Sequence, residues 1–366
     1  MASKFWVGGG TNASWNSSPV TNWANSSGGA GNQTAPVAGD SVFFDGNSGT
    51  GVLSLNVSIS LATLDCTGSK NQIQHGSSIT ITISSGNLIL PTGVGGTYTH
   101  LGFTSVFAMT GTSGTQQLKT NGNALGSLTI NGVGGTTQLQ DALTATTANA
   151  VLTLTNGTFD AQGFAVSLFS FSSSNSNTRV LKGSGAWTIS GTGGTPWNTL
   201  TPTALDLSNF SASITISGTP IAATTFAFGS LTYSGGLTIN ANTSIFHRVI
   251  SGSNTFGSLS INGPQVLSLP ASFTQTISAA FTINGGAGSE IYMFSSTIAL
   301  ASIISCVSGA CSFSWAAFHD ITFSGGASFT ANNSFDLGHN TGITITPPQA
   351  AGPIARNMVF DRGSPY

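Results

Sequence analysis

Charge is what this sequence most lacks. Of its 366 residues, 10 are acidic and 8 basic, 5% together, and Glu290 is the sole glutamate. Soluble helical proteins carry about a quarter of their residues as charge, with Glu and Lys covering exposed helix faces. A mainly helical surface is therefore excluded. Ser, Thr, Asn and Gly must cover the solvent faces; they compete with helix by bonding local backbone, and Thr suits a pleated surface. The formal charge of −2 gives no basic footprint for nucleic acid and no polybasic patch for an anionic membrane. Uninterrupted apolar runs of membrane length are missing too, so no membrane insertion is expected. Residues 291–318 are uncharged and apolar-rich, but Ser and Thr recur through them, as in buried strands.

Cysteine is scarce: Cys66, Cys306 and Cys311, an odd number. Cys306 and Cys311 flank Val-Ser-Gly-Ala, a spacing that a tight hairpin could close with a disulfide. Two small buried thiols are the favoured alternative. With no Cys-x-x-Cys and no paired His, neither a zinc site nor any other metal is expected. No Gly-rich loop opens a helix and no Gly-Gly-x-Gly-x-Asp repeat occurs, so no cofactor is expected. The start, Met1 to Trp6, lacks the apolar core of a secretory signal. That predicts release by a route other than secretion, host lysis by a virus being one.

What is present argues for β structure throughout. The 48 glycines bracket nearly every apolar run with a turn signal. Disorder would be the other reading of a Ser/Gly/Thr-rich chain. Against it stand 39% apolar residues and 23 phenylalanines, with a positive mean hydropathy. The central organising stretch runs from Gly229 to Gly286. Leu237-Thr238-Ile239-Asn240 returns as Leu259-Ser260-Ile261-Asn262 and again as Phe281-Thr282-Ile283-Asn284. Both intervals are 22 residues, and Ile216 lies one copy earlier at 23. A fixed interval of about 20–30 residues marks stacked repeats, and apolar residues on alternate positions mark a half-buried strand. The word Gly-Ser-Leu-Thr-Ile-Asn at 126–131 repeats the theme. These features predict an all-β, right-handed parallel β-solenoid with turns of about 22 residues. A β-sandwich or jelly-roll stays open as the alternative, because alternation alone does not separate parallel from antiparallel strands.

Three parts are expected. Residues 1–50 hold Trp6, Trp15 and Trp23, half of the six tryptophans, and read as an aromatic cap or attachment segment. Stacking of these rings on sugar is the functional alternative. Residues 51–315 read as the solenoid, with Arg179 and Lys182 on a solvated turn. Residues 316–366 read as a C-terminal segment ending in a tail after Pro347-Pro348, with Arg356, Asp361 and Arg362. General acid–base cleavage of a glycosidic bond needs two carboxylates about 5–10 Å apart. Asp320 and Asp336 could meet across adjacent turns, and His319 beside Asp320 makes the best local proton-transfer pair. Asp more commonly ends strands by bonding its own backbone, so these are weak catalytic candidates and a non-enzyme is expected.

Three stretches carry a resemblance: FWVGGGTNASWNSSPVTNW with PVAGDSVFFDG, residues 152–191, and SGSNTFGSLSING with residues 316–345. Together they resemble Gly/Ser/Thr-rich β-repeat proteins of tailed-phage virions, a group with bacterial surface relatives. The resemblance implies a tail fibre, spike or capsid-decorating role. It implies other virion proteins and a host-surface glycan or protein as partners, a homotrimer in the case of a fibre, and the virion as location. It transfers no active-site residues. The alternatives are a polysaccharide-degrading tailspike using Asp320 and Asp336, and a bacterial surface adhesin.

Overall fold

The structure is a computed structural model that describes residues 1–349 apart from Thr11, Val94 and Ile245. Every regular element among the described residues is a strand. The chain winds into a parallel β-solenoid of about 13 coils with roughly 22-residue spacing. One coil shows the plan. Ile59–Leu61 lies on a first face, Thr63–Asp65 on a second and Lys70–His75 on a third. The next coil begins at Thr80–Ile83, hydrogen-bonded directly onto Ile59–Leu61. The first face carries on in this way to Ala316–His319 and Phe335–Asp336. At about 4.8 Å per coil the rod is about 60 Å long.

The sequence repeat is a ladder on the third face. Ile214, Leu237, Leu259 and Phe281 are directly paired in succession, and so are Ile216, Ile239, Ile261 and Ile283. All eight side chains point into the core and are at most 3% exposed. Each such burial is worth about 1.5–3 kcal/mol. The residues between them face outward and satisfy each other: Thr282 Oγ1 donates to Ser260 Oγ at 3.1 Å, and Asn284 Nδ2 to Asn262 Oδ1 at 3.2 Å. Short neutral side chains thus do on this surface what charged ones do on helices. The word at 126–131 sits elsewhere. Its Leu128 and Ile130 stack on the first face, between Phe107 and Met109 on one side and Leu152 and Leu154 on the other. Alternation fixes inside against outside, and says nothing about which face a strand joins.

Coil length is set at the corners. Paired residues are 29 apart at Trp197 and Phe226 but 18 apart at Phe318 and Asp336. The corner between first and second faces turns on a left-handed residue in four successive coils: Ser272, Ala299, Asp320 and His339, with φ of 65°, 60°, 56° and 57°.

The solenoid extends across both expected boundaries. Ser41–Phe43 already stacks between Ser3–Trp6 and Thr63–Asp65. Beyond residue 315, Ala316–His319, Ile321–Gly325, Ser328–Asn332 and Thr344–Thr346 each stack on the preceding coil. The physical reason is that these segments keep the alternating burial that stacking needs, although their words differ from the central repeat. The tail with Arg356, Asp361 and Arg362 lies outside the described residues.

Candidate functional site

The densest group of ionisable side chains lies where the last coils turn from first to second face. Asp320 follows the strand Ala316–His319, and its amide donates to Gly338 O of the next coil at 3.1 Å. Its carbonyl accepts from Ser302 N at 3.0 Å. The side chain is closed to solvent. Its Oδ2 accepts from Ala299 N of the preceding coil at 3.1 Å. His319 Nδ1 stands 2.8 Å from Oδ2, and His339 Nδ1 3.0 Å from Oδ1. An ionised carboxylate only accepts, so both rings donate from Nδ1. The His319 and His339 side chains are 24% and 64% exposed. One ligand atom from each of the three residues lies within 4.8 Å of the others. A metal ion could therefore be held here.

Local spacing in the sequence shows no paired histidines. The interval from His319 to His339 is instead one circuit of a short coil, and the repeat interval is the signal that could have joined them. Asp320 and Asp336 do fall on neighbouring coils, Asp336 lying opposite Phe318. They hold separate posts, however. Asp336 is exposed, and its Oδ1 accepts from Gly338 N at 2.9 Å and Asn340 Nδ2 at 2.6 Å, closing its own turn.

The three N-terminal tryptophans are buried at 4%, 1% and 0% for Trp6, Trp15 and Trp23. Trp23 stands edge-on to Trp6 at 5.2 Å and to Trp15 at 4.8 Å, and packs against Phe44 at 5.8 Å. Its Nε1 donates to Trp15 O at 2.9 Å. Their faces are spent on one another, so sugar stacking has no open ring here. Cys306 and Cys311 are free and buried, which corrects the disulfide alternative. They meet across a corner between two faces and not across a paired hairpin. Ser302–Cys306 pairs with Thr274–Ile277 and Ile321–Gly325, while Ala310–Ser314 pairs with Phe281–Asn284 and Ser328–Asn332. Burial pushes the Cys311 thiol up to about 12, and its hydrogen bond with Cys306 adds to the shift.

Arg179 also departs from the expected solvated turn. It is fully buried, with no carboxylate partner among the described residues. Nε donates to Asn177 O at 2.9 Å, Nη1 to Ser173 O and Oγ, and Nη2 to Thr201 O and Thr203 O. Arg248 repeats the device with the carbonyls of Asn240 and Gly218 and with Gln265 Oε1. Both guanidinium forks collect carbonyls that leave the ladders at a corner. Lys182, on the same strand as Arg179, is half-buried.

Two surface grooves of about 270 and 210 Å³ are lined around Leu205, Leu207 and Leu231, and around Asn242, Gln265, Glu290 and Tyr292. Neither includes the His319–Asp320–His339 corner. The fold defines the class, a three-faced parallel β-solenoid. No family model, no curated protein and no solved structure matches this chain at a significant level.

Proposed function

We propose that this chain is a structural rod of a bacteriophage particle, a tail fibre or spike subunit or a capsid-decorating protein, presenting its corner loops to a host-surface glycan or protein. The observation that carries this reading is the parallel stack of about 13 coils, continuous along its first face. Bending or shearing such a stack breaks backbone ladder bonds along a whole face, so the rod is stiff. Its exterior of Ser, Thr and Asn holds its own hydrogen bonds and carries little charge, so salt has little to screen. The buried indole group packs inside the coils at residues 1–50. Large apolar side chains emerge at corners, with Leu200, Ile221 and Ile298 66%, 72% and 67% exposed. They are available for contact with other particle proteins or between copies in a homotrimer.

A polysaccharide-cleaving spike would need a free carboxylate pair, and Asp320 and Asp336 are each engaged as described. Cryo-electron microscopy of purified particles tests the proposal. Rods of about 60 Å projecting from tail or head, into which this chain builds, support it. Particles lacking the chain, together with release of reducing ends from host polysaccharide by the isolated protein, would overturn it.

A further inference from the structure

We propose that the His319–Asp320–His339 corner binds one divalent transition-metal cation of the zinc type, and that the ion clamps together the two coils that supply its ligands. Two imidazole nitrogens and one carboxylate oxygen form a borderline donor set, suited to zinc and its neighbours rather than to calcium or magnesium. A tetrahedral ion with bonds of about 2.0–2.1 Å holds neighbouring donors about 3.3 Å apart. His319 Nδ1 stands 2.8 Å from Oδ2 and His339 Nδ1 3.0 Å from Oδ1, and one ligand atom from each of the three residues lies within 4.8 Å of the others. To meet on one ion the ligand atoms must close by up to about 1.5 Å, a swing for which the exposed His339 ring has room. Neutral imidazoles then shift their proton from Nδ1 to the outward Nε2 and lose none to solvent, while the carboxylate offsets part of the ion's charge.

The site is organised from three coils. Ala299 of one coil fixes Asp320 Oδ2 through its amide, an outer hydrogen bond of the kind that orients metal-ligating carboxylates. His319 and Asp320 come from the next coil, and His339 from the one after. Asp320 and His339 occupy the same left-handed corner position in consecutive coils, which brings their side chains to one point. The cation can enter from solvent past His339, and its remaining positions are left to water. A corner held by hydrogen bonds alone would stack the same coils but would not respond to metal. The inference stands independently of the particle in which the rod serves.

The test uses the tag-free full chain, stripped with chelator and titrated with zinc chloride by calorimetry, with thermal unfolding followed in parallel. The expected result is one equivalent bound, a rise in Tm, and an affinity at least about tenfold weaker in both His319→Ala and His339→Ala. His247→Ala, a histidine remote from the corner in sequence, should bind as the parent does. Asp320→Asn could fail to fold. His339→Ala therefore carries the decision, since its exposed ring can be removed with the fold checked by circular dichroism. Absence of stoichiometric binding to the parent would overturn the inference. So would unchanged affinity in a folded His339→Ala.

Discussion

Ile239 and Ile261, one repeat interval apart in the chain, are direct partners across one parallel strand pair, and both are fully buried. The repeat interval is thus one circuit of the backbone, and each copy of the word adds one rung to the core. Removing a rung should cost what a core cavity costs. Ile261→Ala is expected to lose about 2–5 kcal/mol and Ile261→Val about 0.5–1.5 kcal/mol. Ser260→Ala, on the outer side of the same strand, should stay within about 0.5 kcal/mol. Chemical denaturation of the three variants measures the order. Equal losses at 260 and 261 would sink the inside–outside assignment.

That ladder also shows how far the sequence was legible. The stretch Gly229–Gly286 announced itself because its coils are nearly equal in length and its rungs share one word. Elsewhere the same physics is written in other words: Phe171 pairs with Trp197, and Trp197 with Phe226, at intervals of 26 and 29. No repeat scan links such rungs. The stack runs through residues 50 and 315 for a related reason. Changes in composition there alter which residues turn the corners, while the alternating strands continue. The functional corner was half legible. Asp320, His319 and Asp336 were singled out by type, and His319 does reach Asp320, but the partner from the neighbouring coil is His339 rather than Asp336, which only the coil length there reveals. The burial of Arg179 was not legible at all, because its partners are backbone carbonyls, which every residue carries.

Two glycines test whether the rod behaves as a row of neighbouring units. Gly157 has φ of 74°, and a Cβ there would stand 2.0 Å from Gly132 O of the preceding coil. Gly342 has φ of 76°, and its Cβ would stand 1.9 Å from Phe323 O. Each contact is backbone and has no room to yield. Gly157→Ala strikes the middle of the stack and should destabilise the whole protein by about 4 kcal/mol or more. Gly342→Ala strikes the last described coil and should open that coil alone. Hydrogen exchange is the measurement. Protection should fall in residues 335–346 for Gly342→Ala with the global unfolding midpoint nearly unchanged, and along the rod for Gly157→Ala.

Arg179 should be irreplaceable in a way that a surface cation is not. Its fork serves the carbonyls of Asn177, Ser173, Thr201 and Thr203 together. Arg179→Ala leaves the Ser173 carbonyl buried without this donor, at about 1–3 kcal/mol, and takes a donor from three part-buried carbonyls that water can reach. Arg179→Lys keeps the charge but offers a point donor in place of a planar fork. It should recover less than half of the alanine loss. Thermal unfolding compares the two. Full rescue by lysine would mean that charge rather than geometry holds this corner. Burial also lowers the guanidinium pKa.

His75 sets the acid limit of stability. It is fully buried between Tyr98, which donates from its hydroxyl to Nδ1 at 2.9 Å, and the carbonyl of Ile79, which accepts from Nε2 at 3.0 Å. Both contacts suit the neutral ring. Burial, with the nearby His100 adding to it, pushes its pKa down from 6.5 to about 4, although the bond to Ile79 works in the other direction. The unfolded chain therefore binds this proton at a higher pH than the folded one. Stability is complete above about pH 6.5, falls as pH drops, and levels off below about pH 4, for a loss of about 3 kcal/mol. His75→Gln removes the titrating group. The variant should be less stable at neutral pH, yet lose about 3 kcal/mol less than the parent between pH 6.5 and 4. Urea unfolding of both proteins across that window decides the matter. Parallel curves for parent and variant would place the acid sensitivity at another group.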